Sequence, residues 1–368
     1  MIEGMIMTRN EVYNFSAGPS VMPEEVLRKA QADLLNYQGT GMSVMEMSHR
    51  SPAFQEIFDD TKARLKSALN VPDTHEILFL QGGATMQFAM VPLNLMHRTG
   101  KADYAVTGNF AGAAAKEAQK YGAVNRVYDS TADGHTTIPA QSELNLSPDA
   151  SYFYYCSNNT IYGTQWQYIP DVGDVPLVCD MSSDILSRPV DVSRYGIIFA
   201  GAQKNMAPAG LTVAIVRKDL MGHALPITPL LLDYQTQIDK DSMYNTPPCW
   251  CIYMLGLQLQ WLEEQGGVAE MQRRAEERSG ALYAYLDSSR LFKGRAAVSA
   301  RSKMNVTFTT GDKELDAAFV KGAEARGLKY IKGHRISGGM RASVYNAMPM
   351  AGVEALIDYM KEFEREHG

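Results

Sequence analysis

Lys204 lies in the stretch GIIFAGAQKNMAPAG (196–210), which contains no carboxylate. An ammonium that follows an apolar run and has no charged neighbour loses hydration without gaining a partner, so the neutral, nucleophilic amine is favoured. Taken alone, Lys204 is as readily a lysine reaching for solvent from a strand end. Two other run ends carry equally unusual groups. EILFL (76–80) leads into QGGATMQF, a glycine pair and Thr85 at the start of an expected helix, where unpaired N–H groups and the helix dipole favour an anion. By itself a Gly-Gly pair is more often a plain turn, and the stretch matches neither a P-loop nor G-x-G-x-x-G. VPLVCD (175–180) ends in Asp180, which serves equally well as a helix cap in DMSSDIL.

An anion cradle, a carboxylate and an isolated amine at three strand ends of one sheet suit a single cofactor, pyridoxal phosphate. Its phosphate needs backbone donors, its pyridine nitrogen a carboxylate, and its aldehyde an amine. A second group of residues lies elsewhere. KGHRISGGMRASVYNAMP (332–349) sets His334, Arg335 and Arg341 among glycines, and MSHRSP (47–52) adds His49 and Arg50. Arginine forks match carboxylates and phosphates, and glycines let backbone approach a ligand. For any one of these arginines a surface ion pair is the plainer account; the glycine-rich setting favours anion recognition for the group.

The elements that must position these residues are legible as patterns. Seven short, nearly continuous apolar runs (76–80, 102–106, 124–128, 151–156, 175–180, 196–200 and 211–216) alternate with helical stretches, which predicts a mostly parallel sheet covered on both faces. Ligands of such sheets bind at the carboxyl ends of the strands. Residues 23–37 and 52–70 read as amphipathic helices, and 250–267 as a long helix ending at Gly266 and Gly267. The glycine pair marks a boundary between a large domain (23–265) and a smaller α+β domain (266–368) of helix, strand, helix, strand, helix. Residues 1–22 are expected to pack with the small domain.

With 368 residues, 45% of them hydrophobic, the chain can build a large core and two domains. A net charge of −6 argues against a general nucleic-acid surface, which needs dense lysine and arginine. Four cysteines without a C-x-x-C pair predict neither disulfides nor a metal site, and fit a reducing compartment. The absence of a signal-like start or a long apolar run reads as a soluble, cytoplasmic protein without membrane partners.

The motifs NFSAGPS (14–20), SVMEMSHR (43–50), DILSRPVDVSRYG (184–196), GAQKN (201–205), YNTPP (244–248) and GHRISGGMRASVYNAMP (333–349) span nearly the whole chain. On these residues it resembles the phosphoserine aminotransferase family, class V aminotransferases of fold type I, the aspartate-aminotransferase-like α/β fold. The resemblance implies transamination between L-phosphoserine with 2-oxoglutarate and 3-phosphohydroxypyruvate with L-glutamate in serine biosynthesis. It also implies use of 4-phosphohydroxy-L-threonine in making pyridoxal phosphate. Carried over by position, Lys204 bonds the cofactor aldehyde and Asp180 the pyridine nitrogen. Ala84, Thr85 and Gln203 serve the cofactor phosphate, and Thr160 and Phe110 lie at the ring. Asn245 and Thr246 reach the phosphate from the neighbouring subunit, so a homodimer with shared sites is implied. Arg341 takes the substrate α-carboxylate, and Arg50, His334 and Arg335 its distal phosphate or carboxylate.

Two positions depart from the family pattern: Phe110 stands where some relatives stack a tryptophan, and Thr85 where some have an arginine. The segment before Asn14 has no counterpart and is expected to be poorly ordered. A cysteine desulfurase would need a late nucleophilic thiol, and none follows Cys251. An alanine- or serine-glyoxylate type aminotransferase and a non-catalytic anion-binding dimer are the alternatives.

Overall fold

A computed structural model describes residues 7–368. Strand β1 (Tyr13–Asn14) precedes two helices, α1 (Glu24–Ala32) and α2 (Pro52–Ala68). The start of α2 is set locally. The Phe54 N–H donates to Ser51 Oγ at 3.3 Å, and Pro52 takes the first helical position, where its missing N–H is harmless. Its buried face, Phe54, Ile57, Phe58, Thr61 and Leu65, repeats at helical spacing. Helix α1 ends at Ala32 rather than at the expected Tyr37. Just past it, the Asp33 carboxylate accepts from the Tyr253 hydroxyl at 2.6 Å and anchors the chain against another helix.

Then come β2 (His75–Leu80), α3 (Gly83–Leu95), β3 (Lys101–Val106), α4 (Asn109–Ala118), β4 (Ala123–Asp129) and β5 (Phe153–Cys156). A small hairpin, β6 (Asn158–Asn159) with β7 (Thr164–Gln165), precedes β8 (Leu177–Asp180), β9 (Ile197–Gly201) and β10 (Thr212–Arg217). All seven expected strands join one sheet in the order β2-β10-β9-β8-β5-β3-β4, parallel except for β10, which runs against both neighbours. Helices α5 (Tyr234–Asp239) and α6 (Cys249–Glu264) follow. Alternate strand residues feed two cores. Ile77, Phe79, Phe153, Cys179, Ile198 and Val213 pack towards α2 and α6, whereas Leu78, Leu80, Tyr154, Val178, Phe199 and Ala214 pack towards α3 and α4. Burial on both faces is why these strands read as apolar runs without alternation.

Beyond Gly266 lie α7 (Gly267–Ser288), β11 (Lys293–Gly294), β12 (Asn305–Thr309), α8 (Lys313–Ala325), β13 (Leu328–Lys329), β14 (Met340–Ser343) and α9 (Met350–His367). Strands β11, β12 and β14 form an antiparallel sheet, and a third apolar cluster gathers Phe292, Phe308, Phe319 and Phe363 with Phe15 from the start of the chain. Strand β1 pairs in parallel with β13, Tyr13 opposite Leu328. This corrects the expectation of poor order before Asn14 as far as residues 7–13 are concerned. Arg9–Glu11 is a 3-10 turn, Arg9 pairs with Glu24 at 3.5 Å, and the Tyr13 N–H donates to Gly327 O at 2.9 Å. Residues 1–6 of that expectation lie outside the described residues.

Candidate active site

Strands β8 and β9 are parallel neighbours in the sheet, and Asp180 and Lys204 sit at the same end of them. Asp180, the last residue of β8, is buried, and the Ser182 N–H donates to its Oδ1 at 2.9 Å. Burial pushes its carboxyl above the usual range, while Ser182 and the Lys204 amine pull the other way. Lys204 follows β9 in a tight turn whose Met206 and Ala207 N–H groups both donate to Ala202 O. Its Nζ donates to Thr160 Oγ1 at 2.8 Å and lies 5.9 Å from the centroid of the Phe110 ring, which is exposed at the start of α4. Burial holds the Lys204 amine below its ordinary value; Asp180 opposes that shift and Arg341 reinforces it. Thr160 is placed by two buried amides. Asn159 Nδ2 donates to Thr107 and Thr164, and Asn158 Nδ2 to Ser183 and Asn305, which stitches the hairpin between the sheet and β12.

At the end of β2 the chain turns at Gly82 into α3. Gly82 has φ +86, and a Cβ there would lie 2.6 Å from the Met86 Cβ, so the tight turn requires glycine. A glycine N-cap offers no side chain, so the first-turn N–H groups around Ala84 and Thr85 are left for another acceptor. Ala84 is half-buried and Thr85 exposed. Gln203 precedes the lysine, and its backbone O accepts from the Ser20 N–H at 3.0 Å. Asn245 and Thr246 are exposed; Asn245 Nδ2 donates to Gln81 Oε1 at 2.8 Å, and within one chain no hydrogen bond joins either residue to Lys204 or Asp180.

Arg341, on β14, reaches across to donate to Thr160 O at 3.4 Å. Its Nε is buried without a hydrogen-bond partner, and no carboxylate pairs with it among the described residues. Burial lowers the guanidinium from its ordinary value. His334 and Arg335 stand in the loop before β14, closed by Gly333 N–H to Gly339 O and Gly338 N–H to His334 O, both 2.8 Å. Burial, with Arg341 and Arg335 nearby, holds the His334 imidazole below its usual value. Arg335 and Arg50 are exposed and make no ion pair among the described residues; no hydrogen bond or ion pair joins the Arg50 side chain to the others there.

A family model for class V aminotransferases matches residues 12–356. The chain belongs to the class V aminotransferases. It is 53% identical to a phosphoserine aminotransferase of Laribacter hongkongensis over 358 residues, covering 97% of this chain and 99% of that protein. Among solved structures, phosphoserine aminotransferase from Bacillus circulans subsp. alkalophilus superposes with a TM-score of 0.95 at 44% identity, covering 97% of this chain and 99% of that one. The pyridoxal-phosphate-bound enzyme from Trichomonas vaginalis does so at 0.91 with 40% identity, over 95% and 99%. The fold is that of the pyridoxal-phosphate-dependent aminotransferases.

The residues of this aminotransferase fit that cofactor. The uncapped first turn of α3 suits a phosphate, buried Asp180 a ring cation, and an amine whose basicity burial lowers an aldehyde. Several residues around Lys204 carried no signal that composition or spacing could expose. Ser20 Oγ donates to Lys204 O, and the Asn346 N–H donates to Asn205 Oδ1 at 3.0 Å. Arg295 donates to the Ser337 and Gly338 carbonyls of the loop that carries His334. NFSAGPS and VYNAMP stood out as motifs, yet nothing in either says that it meets the lysine.

Proposed function

We propose that this aminotransferase interconverts L-phosphoserine and 2-oxoglutarate with 3-phosphohydroxypyruvate and L-glutamate, a step of serine biosynthesis, and that it also accepts 4-phosphohydroxy-L-threonine on the way to pyridoxal phosphate. The observation that carries the choice of substrate is Arg341, a buried guanidinium close to Lys204 that pairs with no carboxylate among the described residues. Arg341 has a buried, unpartnered Nε, and His334 and Arg335 lie near it. A phosphate ester and a side-chain carboxylate are anions of similar reach, so one such cluster serves phosphoserine and glutamate in turn.

Pyridoxal phosphate supplies an aldehyde and an electron-withdrawing ring that acidify the Cα–H of an amino acid. Asp180 would hold the ring nitrogen, Ala84, Thr85 and Gln203 would hold the phosphate, and Thr160 and Phe110 would line the space beside the ring. Lys204 Nζ, oriented by Thr160, carries the proton from and to the substrate Cα, and its suppressed basicity leaves more of it in the proton-accepting form. Arg341 fixes the α-carboxylate, so that the Cα–H faces the lysine. Asn245 and Thr246 complete the phosphate site across a homodimer interface, and Arg50 closes the distal pocket with His334 and Arg335. The reading includes a cytoplasmic location and a division into residues 23–265 and 266–368. No helix of the described residues is long and apolar enough to cross a membrane.

The deciding experiment compares phosphoserine with serine as amino donor, after borohydride reduction has located the cofactor by peptide mass. Cofactor mass on Lys204 and a strong preference for phosphoserine are expected. Equal use of serine would shift the reading to a glyoxylate-type aminotransferase, and mass on another lysine would overturn the site.

A further inference from the structure

Tyr345 lies two residues past the end of β14, the strand that carries Arg341, and is fully buried. Its hydroxyl donates to Ala17 O at 2.8 Å and accepts from Asn305 Nδ2 at 3.1 Å. The 15–20 segment that it grips is the wall of the lysine site. At one end the Ser343 N–H donates to Phe15 O at 3.3 Å; at the other, the Ser20 N–H donates to Gln203 O and its Oγ to Lys204 O. Between them Gly18 lies flat on the lysine stem, where a Cβ would come within 3.3 Å of Lys204 Cγ. The Ala17 carbonyl thus has its tie to the small sheet through one phenol, and the lysine has its wall through Ala17.

We propose that Tyr345 is a positioning residue for Lys204: its hydroxyl latches the 15–20 segment against the lysine stem, so that Nζ keeps the orientation set by Thr160. The latch also joins the strand of the carboxylate-binding arginine to the reacting amine. This rests on the reading of Lys204 as that amine. Tyr345→Phe removes one oxygen and keeps the ring, so the packing stays filled while Ala17 O and Asn305 lose a partner.

The test measures kcat, KM and amide exchange over residues 15–21 in the cofactor-loaded wild type, in Tyr345→Phe and in Tyr152→Phe. Tyr152, the residue just before β5, is the control, a fully buried tyrosine whose hydroxyl bonds Tyr104 at 2.6 Å. For Tyr345→Phe, kcat falls about tenfold, KM for phosphoserine and for glutamate stays within about twofold, and exchange over 15–21 rises. Tyr152→Phe lowers the melting temperature and moves neither kcat nor that exchange. The inference is overturned if Tyr345→Phe keeps kcat within about twofold, if exchange over 15–21 is unchanged, or if Tyr152→Phe loses as much kcat. Should the wild type fail to transaminate phosphoserine, the functional reading falls, while the exchange arm still decides the latch.

Discussion

Lys204 and Arg341 are both cations held where burial works against their charge, and that shared circumstance gives each a distinct signature. For Lys204 the folded chain binds a proton less readily than the unfolded chain does. Its penalty is therefore fully present at pH below the folded value and is relieved as pH climbs towards the ordinary 10.5. The stability of the cofactor-free chain relative to Lys204→Met should rise over that window, as read by urea denaturation at a series of pH values; a constant difference would mean an amine that is not held in a desolvated site. Arg341→Lys keeps a charge but loses the fork, so KM for phosphoserine and for glutamate should rise together by roughly 10- to 100-fold, the value of a charge-assisted hydrogen bond. A rise for only one donor would mean that Arg341 does not hold the α-carboxylate that the two donors share. These two residues, with Asp180, were legible in the sequence because each breaks a local rule, a lone charge beside an apolar run or among glycines. Tyr345 and Ala17 break none. Their contact spans 328 positions, and no local pattern encodes a meeting at that separation.

At the scale of elements, the parallel sheet was readable because burial on both faces forces unbroken apolar runs, and all seven runs became strands. The pairs β6/β7 and β1/β13 were not, because two-residue strands are made by buried asparagines and by a distant partner rather than by periodicity. The turn from β2 into α3 combines both kinds of information. Its glycines mark a turn in the sequence, and only the structure shows that Gly82 is left-handed and pressed on Met86. Gly82→Ala must either strain the backbone by about 1–2 kcal/mol or swing the first turn of α3 aside. Titration of the apo protein with pyridoxal phosphate, followed by absorbance, should show affinity reduced more than tenfold while Lys204 still bonds the cofactor at saturation. Unchanged affinity would remove the α3 terminus from the phosphate site.

At the scale of the whole molecule, the unfinished part of the site is the question of what Asn245 and Thr246 do. Within one chain they are exposed and Asn245 bonds Gln81, close to the turn into α3, although neither residue is tied to Lys204. If they complete the partner's site in a two-fold dimer, each site takes Lys204 from one subunit and the Asn-Thr pair from the other. A subunit carrying Lys204→Ala, paired with one carrying Asn245→Ala and Thr246→Ala, then places both defects in one site and none in the other. Each variant alone is inactive or nearly so. After the two are unfolded together and refolded at equal concentrations, half of the dimers are mixed and each mixed dimer has one intact site of two, so activity should return to about one quarter of wild type. Sites built within single subunits give a different result. Mixing then restores nothing, because every site keeps the defect of its own chain, and the assignment of Asn245 and Thr246 to the neighbouring site would be abandoned.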